Sequence, residues 1–478
     1  MDKSETKDIN QKFNQLLKDI DIDPNELDGK MNFLGQDPII PSISHAGEIS
    51  ALTRALPSYL SALIWQKKTG RGQDVTVDLR KSIYEMSPFF KGAKAATIAG
   101  VPARHSPLYG AEITKMFKTK DDRWFMPTGM YPKAFQRMMN LLNCNPDPKT
   151  FEKSIKEWNA EELEQAFDEN DLPGIMIRTP EEYEHQEQTK YIKDAPLIKI
   201  TKIKDGSKIP FQPSERPLSD VKVLGLTHVL AGPAVLRTFA EQGANCLNLW
   251  GKDSFEQPSM YSLADTGMRS AFIDLLSKPE KQKFINLIKD ADVFVENLHG
   301  DLLEKLGITP DDIVSESDKG LIYVSMRCYG HSGPKASLPG FDMHAVANSG
   351  FCTLEGTEDR PQLPYTAVFN DFTAGFLGAA GALAALIMRA ENGGSYKVEV
   401  SLSRCTEFYN SLGFFDKDYV KETVNSDPEH TLGIQDMLYT KTSLGKYVRP
   451  RPEVELSETP AYWEGDILVP RGSSNLNW

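Results

Sequence analysis

The chain has 478 residues, 40% hydrophobic and 25% charged, with a formal net charge of −13. That length carries two or three domains and a sizeable core, in a composition typical of globular rather than disordered or fibrous chains. The negative balance excludes a general nucleic-acid binder but leaves room for a small anionic ligand held by local cations.

Residues 1–39 read as a polar helical arm. Its opening, M-D-K-S-E-T-K-D, has neither the apolar stretch of a secretory signal nor the basic character of a transit peptide. Residues 40–107 hold an apolar helix, the turn T-G-R-G-Q at 69–73 and an alternating strand, V-T-V-D-L. From 108 to 212 the texture is that of a small α+β domain. A hairpin is expected around Lys120-Asp121-Asp122, then helices at 131–143, 149–169 and 179–189. A second hairpin-like pair follows, with Asp205-Gly206 at its turn. Pro210, Pro213 and Pro217 mark the linker out.

Residues 213–425 carry the clearest periodicity. A short apolar run at 221–226 meets Gly232-Pro233, with Pro where a helix begins and Gly243 where it closes. Strands are expected at 244–250, 269–275, 292–296 and 320–326, with an amphipathic helix at 278–290. Strands alternating with helices predict an α/β fold, a Rossmann-like doubly wound parallel sheet beside the smaller α+β domain. The loop T-H-V-L-A-G-P lacks the G-x-G-x-x-G dinucleotide signature. Residues 426–478 read as a tail.

One segment occurs twice. Residues 48–79 and 371–402 align without a gap, Ala62-Leu63-Ile64 falling on Ala385-Leu386-Ile387. Each copy starts with an acid, continues as an apolar helix, passes a Gly-containing turn and ends on an alternating strand. Two copies so far apart are a rearranged junction rather than a solenoid. The apolar run at 372–388 is rich in Gly and Ala and falls short of the roughly 20 residues that span a bilayer, so it reads as a buried helix rather than a membrane anchor.

Asp371 is the leading candidate for chemistry. At or near the N-cap of an apolar helix, its carboxylate would be stabilised by free amides and the helix dipole, and its pKa is expected to stay low. The same amides could stabilise an oxyanion on an attacked carbonyl, and Gly375 and Gly378 would let a ligand or another backbone come close. A plain helix cap is the alternative, for Asp371 and for Glu48 at the matching place in the first copy. The loop Val229-Leu230-Ala231-Gly232-Pro233 lies where open sheets bind ligands, and is also readable as a tight turn. Arg237, Arg269 and Lys305 are candidates for a phosphate patch, and His344 for a base or a structural histidine. Five cysteines (Cys144, Cys246, Cys328, Cys352 and Cys405) without a C-x-x-C, and histidines without ligand spacing, predict a reduced cytoplasmic protein with no metal site.

Several long motifs, in order, carry a resemblance. They are V-K-V-L-G-L-T-H-V-L-A-G-P, I-D-L-L-S-K-P-E, D-V-F-V-E-N-L-H-G-D-L-L-E-K-L-G-I, L-I-Y-V-S-M-R-C-Y-G-H-S-G-P, P-G-F-D-M-H-A-V-A-N-S-G and N-D-F-T-A-G-F-L-G-A-A-G-A-L-A-A-L. From about 221 to 402 the chain resembles the class III CoA-transferases, the CaiB/BaiF family, which also includes acyl-CoA racemases. The order of parts is unusual: T-G-R-G-Q and a small-domain-like stretch precede the Rossmann-like part, as in a fused or permuted branch. The tail L-S-E-T-P-A-Y-W…V-P-R-G-S-S-N-L-N-W fits that branch.

The resemblance implies acyl-CoA:carboxylate CoA transfer with Asp371 as nucleophile, through a mixed anhydride and an aspartyl-CoA thioester. It implies that the backbone of Val229, Leu230 and Ala231 holds the CoA nucleotide, that Asn297 and Leu298 line the CoA site and that Lys305 meets a phosphate. Coenzyme A and acyl-CoA would be substrates, not permanent cofactors, and the partners an acid acceptor and a second copy in an interlocked homodimer, unless the fused order completes the site within one chain. Met268 replaces a family lysine, Asn297-Leu298-His299 stands for Asn-Phe-Arg, and no glycine-run loop is present. Phe341 stands where racemases place a histidine, which disfavours a two-base racemase or epimerase. The remaining alternative is a CoA-binding or regulatory homologue without turnover.

Overall fold

Short runs rich in Val, Ile and Leu, separated by helical segments, build a seven-stranded sheet. Its strands are β1 (Lys199–Lys204), β2 (Lys222–Leu226), β3 (Asn245–Gly251), β4 (Arg269–Ile273), β5 (Val293–Glu296), β6 (Ile322–Arg327) and β7 (Ser395–Ser401). The structure, a computed structural model, describes residues 3–86, 96–102, 114–300, 302–317, 319–424, 430 and 432–478. The strand order is β4-β3-β2-β5-β6-β7-β1, parallel throughout except for the edge pair β7–β1. This is the doubly wound α/β arrangement expected. The order reverses between β2 and β5, which opens a crevice at their carboxyl ends, the usual ligand position in such sheets.

One expectation is corrected. The stretch around Asp205-Gly206 is not a hairpin: Lys199–Lys204 is a single strand that crosses to the large sheet and pairs antiparallel with β7. An isolated two-stranded hairpin is marginal, whereas the open edge of β7 offers a full ladder of unpaired backbone groups. The hairpin at 120–122 forms as read, Phe117–Lys118 pairing with Trp124–Pro127. The helical stretch 149–169 divides into Pro148–Ile155 and Ala160–Glu169.

Six helices matter for the site: α1 (Lys3–Lys18), α2 (Ala46–Thr69), α3 (Ala231–Ala240), α4 (Asp342–Asn348), α5 (Asn370–Asn392) and α6 (Leu402–Ser411). α5 is the central one. Its 23 residues are long and apolar enough to cross a membrane, but 94% of its most apolar window is buried inside the fold, against α2, α3, β6 and β7. A Cβ on Gly375 would lie 2.5 Å from Ala234 Cβ. That glycine therefore serves the close approach of α3, not of a ligand.

The repeat is visible in three dimensions. Met31–Leu34 runs parallel to Val75–Asp78 as β6 runs parallel to β7, with α2 and α5 as the respective crossovers. The duplication thus extends upstream of 48, to a strand followed by Gly35-Gln36-Asp37 in one copy and Gly340-Phe341-Asp342 in the other. The two crossover helices pack on each other.

Residues 432–478, most of the stretch read as a tail, fold back over the first copy. Val454–Leu456 adds an antiparallel strand to Val75–Asp78. Gln73 of T-G-R-G-Q accepts the backbone N–H groups of Glu458 and Thr459 at 3.0 Å each. Below this, six buried charges interlock three regions. Arg54 of α2 pairs with Glu241 and with Glu453, Arg237 of α3 with Glu85 at 3.0 Å, and Arg449 also with Glu85. Arg237 is therefore not part of a phosphate patch. Neither is Arg269, which donates to the carbonyls of Asn475 (3.0 Å) and Asn477 (2.5 Å) and clamps the end of the chain. Isolated in sequence, both looked like surface cations; burial and partners are tertiary properties.

Removing one member of such a network leaves charges stranded in a dry interior. The variant Arg54→Met is expected to lose about 3–5 kcal/mol of stability, read as a fall in the urea midpoint at unchanged slope. A midpoint equal to wild type would mean that Glu241 and Glu453 do not depend on Arg54.

Candidate active site

The crevice between β2 and β5 is lined by His228, Val229 and Ala231 from the β2–α3 loop, by Asn297, Leu298 and His299 after β5, and by Arg327 and Cys328 at the end of β6. Segment 338–341, Leu402 and Asp371 complete the lining. Four of the expected site residues, Val229, Ala231, Asn297 and Leu298, thus meet Asp371 around one cleft. Two do not. Leu230 is fully buried in the apolar core. Lys305 lies outside the lining, in the short helix Leu302–Lys305; its charge is felt at His299.

Asp371 is not the N-cap. The cap position is Phe369, and Asp371 is the second helical residue of α5. The amides that a capping aspartate would satisfy are taken by another acid, Asp342, at the start of α4. Its Oδ2 accepts the N–H of Phe369 at 3.0 Å and of Asp371 at 2.8 Å. Asp342 is a cap supplied from a distance: it discharges the orphan donors of α5 and leaves the Asp371 carboxylate unspent. Among the described residues, no hydrogen bond from the protein reaches that carboxylate, and Asp371 is only 6% exposed.

The expected low pKa is corrected by the same geometry. Burial pushes the Asp371 carboxyl well above the usual carboxylate range, and the neighbouring Asp342 and Glu256 push it further. Burial also raises Asp342, to about 7, against the lowering effect of its backbone hydrogen bonds. The amides expected to hold Asp371 ionised are spent on Asp342, so desolvation decides.

The first copy repeats the device and then blocks it. Asp37 accepts the N–H groups of Gly47 (3.0 Å) and Glu48 (2.7 Å) at the start of α2, as Asp342 does for α5. Glu48, however, is engaged by Lys12 of α1 at 2.8 Å and faces His45 at 3.4 Å. Of the two matching acids, only Asp371 opens on the cleft described.

The remaining side chains divide into wall and support. Asn297 takes the His228 N–H on Oδ1 (3.0 Å) and donates Nδ2 to the His228 carbonyl (2.8 Å), tying the β2–α3 loop to β5 across the switch point. The Val229 N–H is spent within the protein, on Glu256 Oε2 at 2.7 Å, so that amide is not available to a nucleotide. His344 is no base. Its Nδ1 accepts the Phe341 N–H (3.0 Å), which leaves the proton on Nε2, 3.1 Å from Thr128 Oγ1; burial lowers its pKa to about 3. Burial likewise keeps His228 neutral, at about 4. Arg327 lines the cleft while held by both oxygens of Glu296, at 2.9 and 3.0 Å.

The sequence reading passed over Asp342, Tyr131, Glu256 and Arg327. For Asp342 a signal existed, the G-x-D that precedes both copies of the helix. Among the described residues no group of His, Cys, Asp or Glu is arranged to hold a metal ion.

The sequence profile of CoA-transferase family III matches residues 29–205 and 218–407. The acetyl-coenzyme A transferase nodX of Hypoxylon pulicicidum is 27% identical over 414 residues, 78% of this chain and 70% of that protein. The probable fatty acyl-CoA transferase Rv3272 of Mycobacterium tuberculosis is 32% identical over 209 residues, 41% of this chain, which spans about half (52%) of the relative's length. A crystal structure of Rv3272 covers 45% of this chain and 59% of its own, with 29% identity and a TM-score of 0.38.

The cap can be tested apart from any chemistry. Asp342→Ala strands two buried amides and is expected to cost about 1–3 kcal/mol in urea unfolding, with Asp342→Asn, which keeps an acceptor, costing less. Equal losses for the two variants would contradict the capping role.

Proposed function

The chain belongs to CoA-transferase family III, and from that premise we propose that it moves coenzyme A from an acyl-CoA to a carboxylic acid with Asp371 as nucleophile. The observation that carries this reading is the unspent Asp371 carboxylate in the lining of the cleft, its helix capped by another acid. A carboxylate oxygen attacks the thioester carbon and the C–S bond breaks, giving a mixed anhydride and CoA thiolate. The thiolate attacks the aspartyl carbonyl, releases the first acid and leaves an aspartyl-CoA thioester. The acceptor carboxylate then displaces the thiolate, forming a second anhydride. Thiolate attack on the acceptor's carbonyl releases the new acyl-CoA and regenerates Asp371.

Two features support the assignment of roles. Asp371 stands in the first turn of α5, so the helix dipole favours negative charge developing there. Arg327, with His299 and the nearby Lys305, lies toward the β5 side, on which side the phosphates of CoA would be met. A racemase or epimerase would need a good base close to Asp371, and the nearby histidines are weak ones: burial lowers His228 to about 4 and His344 to about 3 and lowers His299 as well, and His344 is also bound through both nitrogens.

Incubation of acyl-CoA with labelled carboxylic acids is expected to give CoA exchange, lost in Asp371→Ala. Hydroxylamine should attack the activated Asp371 carbonyl in the wild type, expelling the acid or CoA and leaving an aspartyl hydroxamate at that position. Absence of exchange with every acid, in a protein that binds CoA, would exclude transfer.

The pH dependence has a definite sign. The protonated Asp371 is not a nucleophile, and its pKa is raised, so kcat/KM is expected to rise with pH through a value above the ordinary carboxylate range. An acid limb centred near pH 4 would contradict the buried site.

A further inference from the structure

Glu256 lies outside the cleft lining, and the chemistry above does not use it. It is nevertheless a buried acid that receives three donors. Oε2 accepts the Val229 N–H at 2.7 Å; Oε1 accepts the Gln257 N–H at 2.8 Å and the Tyr131 hydroxyl at 2.9 Å. The adjacent Gln257 donates Nε2 to the Met130 carbonyl at 3.0 Å. Two neighbouring residues thus grip the β2–α3 loop on one side and segment 130–131 on the other.

Both gripped parts bear on the cleft. Val229 has a φ of +64°, a left-handed conformation that a β-branched residue keeps only where its surroundings hold it; the bond to Glu256 is such a restraint. The Tyr131 ring lies parallel to Phe341, with centroids 5.5 Å apart and planes 4° apart. It also meets His228 edge-on at 6.2 Å. Phe341 lines the cleft and immediately precedes Asp342, the cap of α5.

We propose that Glu256 is a positioning residue for CoA transfer, fixing the Val229 loop and the Tyr131–Phe341 wall so that a thioester is held against Asp371. The proposal rests on the reading of Asp371 as nucleophile. A second consequence is electrostatic: Glu256 is one of two acids whose charge raises the proton affinity of Asp371, the other being Asp342 on α4. Tyr131, Cys328 at the end of β6 and Cys405 on α6 also face Asp371. Glu256 itself faces Tyr131, Arg471 and Asp265. Its replacement by a neutral isostere therefore lowers the pH at which Asp371 ionises.

The test compares wild type, Glu256→Gln and Tyr131→Phe in acyl-CoA exchange across pH, with CoA affinity measured by calorimetry. In Glu256→Gln the KM for acyl-CoA is expected to rise about tenfold, the size of one charged hydrogen bond lost, and the acid limb of kcat/KM to move to lower pH. Tyr131→Phe keeps the charge, so it should raise KM in part and leave the limb in place. Wild-type KM and an unmoved limb in Glu256→Gln would overturn the proposal. If that variant does not fold, an unchanged KM in Tyr131→Phe overturns it instead. Absence of exchange in the wild type would defeat the nucleophile reading alone. CoA affinity then decides the clamp: weaker binding in Glu256→Gln supports it, and equal binding overturns it.

Discussion

The site depends on one carboxylate standing in for another. A buried helix start presents amides that must find acceptors, and an aspartate at the second helical position is well placed to be consumed by them. Asp342, 29 residues earlier in the chain, takes those amides instead. That substitution frees Asp371 to face the cleft, places two acids side by side in a dry environment and raises both above their ordinary range. The capping of α5 and the burial of the free acid are one arrangement. A change to Asp342 alters the helix start and the titration of Asp371 together.

The duplicated junction displays the same device with a different outcome. Asp37 caps α2 as Asp342 caps α5, but Glu48 is paired with Lys12 and faces His45. The lysine comes from α1, which packs on α2. One copy therefore serves packing, and the other keeps an acid in a cavity. The two helices lie against each other in the core, so the first copy supports the second by packing.

Much of this was legible in the sequence, because the signals were local. The alternation of strands and helices predicted the doubly wound sheet. The repeat and the motifs around Asp371 singled out the acid, and Val229, Ala231, Asn297 and Leu298 line the same cleft as Asp371. The misreadings concern partners far away in the chain. The pKa of Asp371 followed the wrong neighbour, because its cap competitor belongs to another helix. Lys199–Lys204 was given a hairpin partner nearby, while its real partner begins at Ser395. Arg237 and Arg269 were read as isolated cations because Glu85 and the chain terminus are remote in sequence. Periodicity reports which face of an element is apolar, not which charge it will meet.

The buried ion network has a temporal side. Arg54 and Glu453 are separated by 399 positions, and a ribosome adds about 5–20 residues per second. The guanidinium therefore waits on the order of tens of seconds before its last counter-ion is made. Until Arg449 and Glu453 leave the exit tunnel, the first repeat copy cannot bury Arg54 and Glu85 with all their partners. Completion of the interior thus waits for the segment 449–453, and a nascent chain arrested shortly before 449 leaves Arg54 and Glu85 short of those partners.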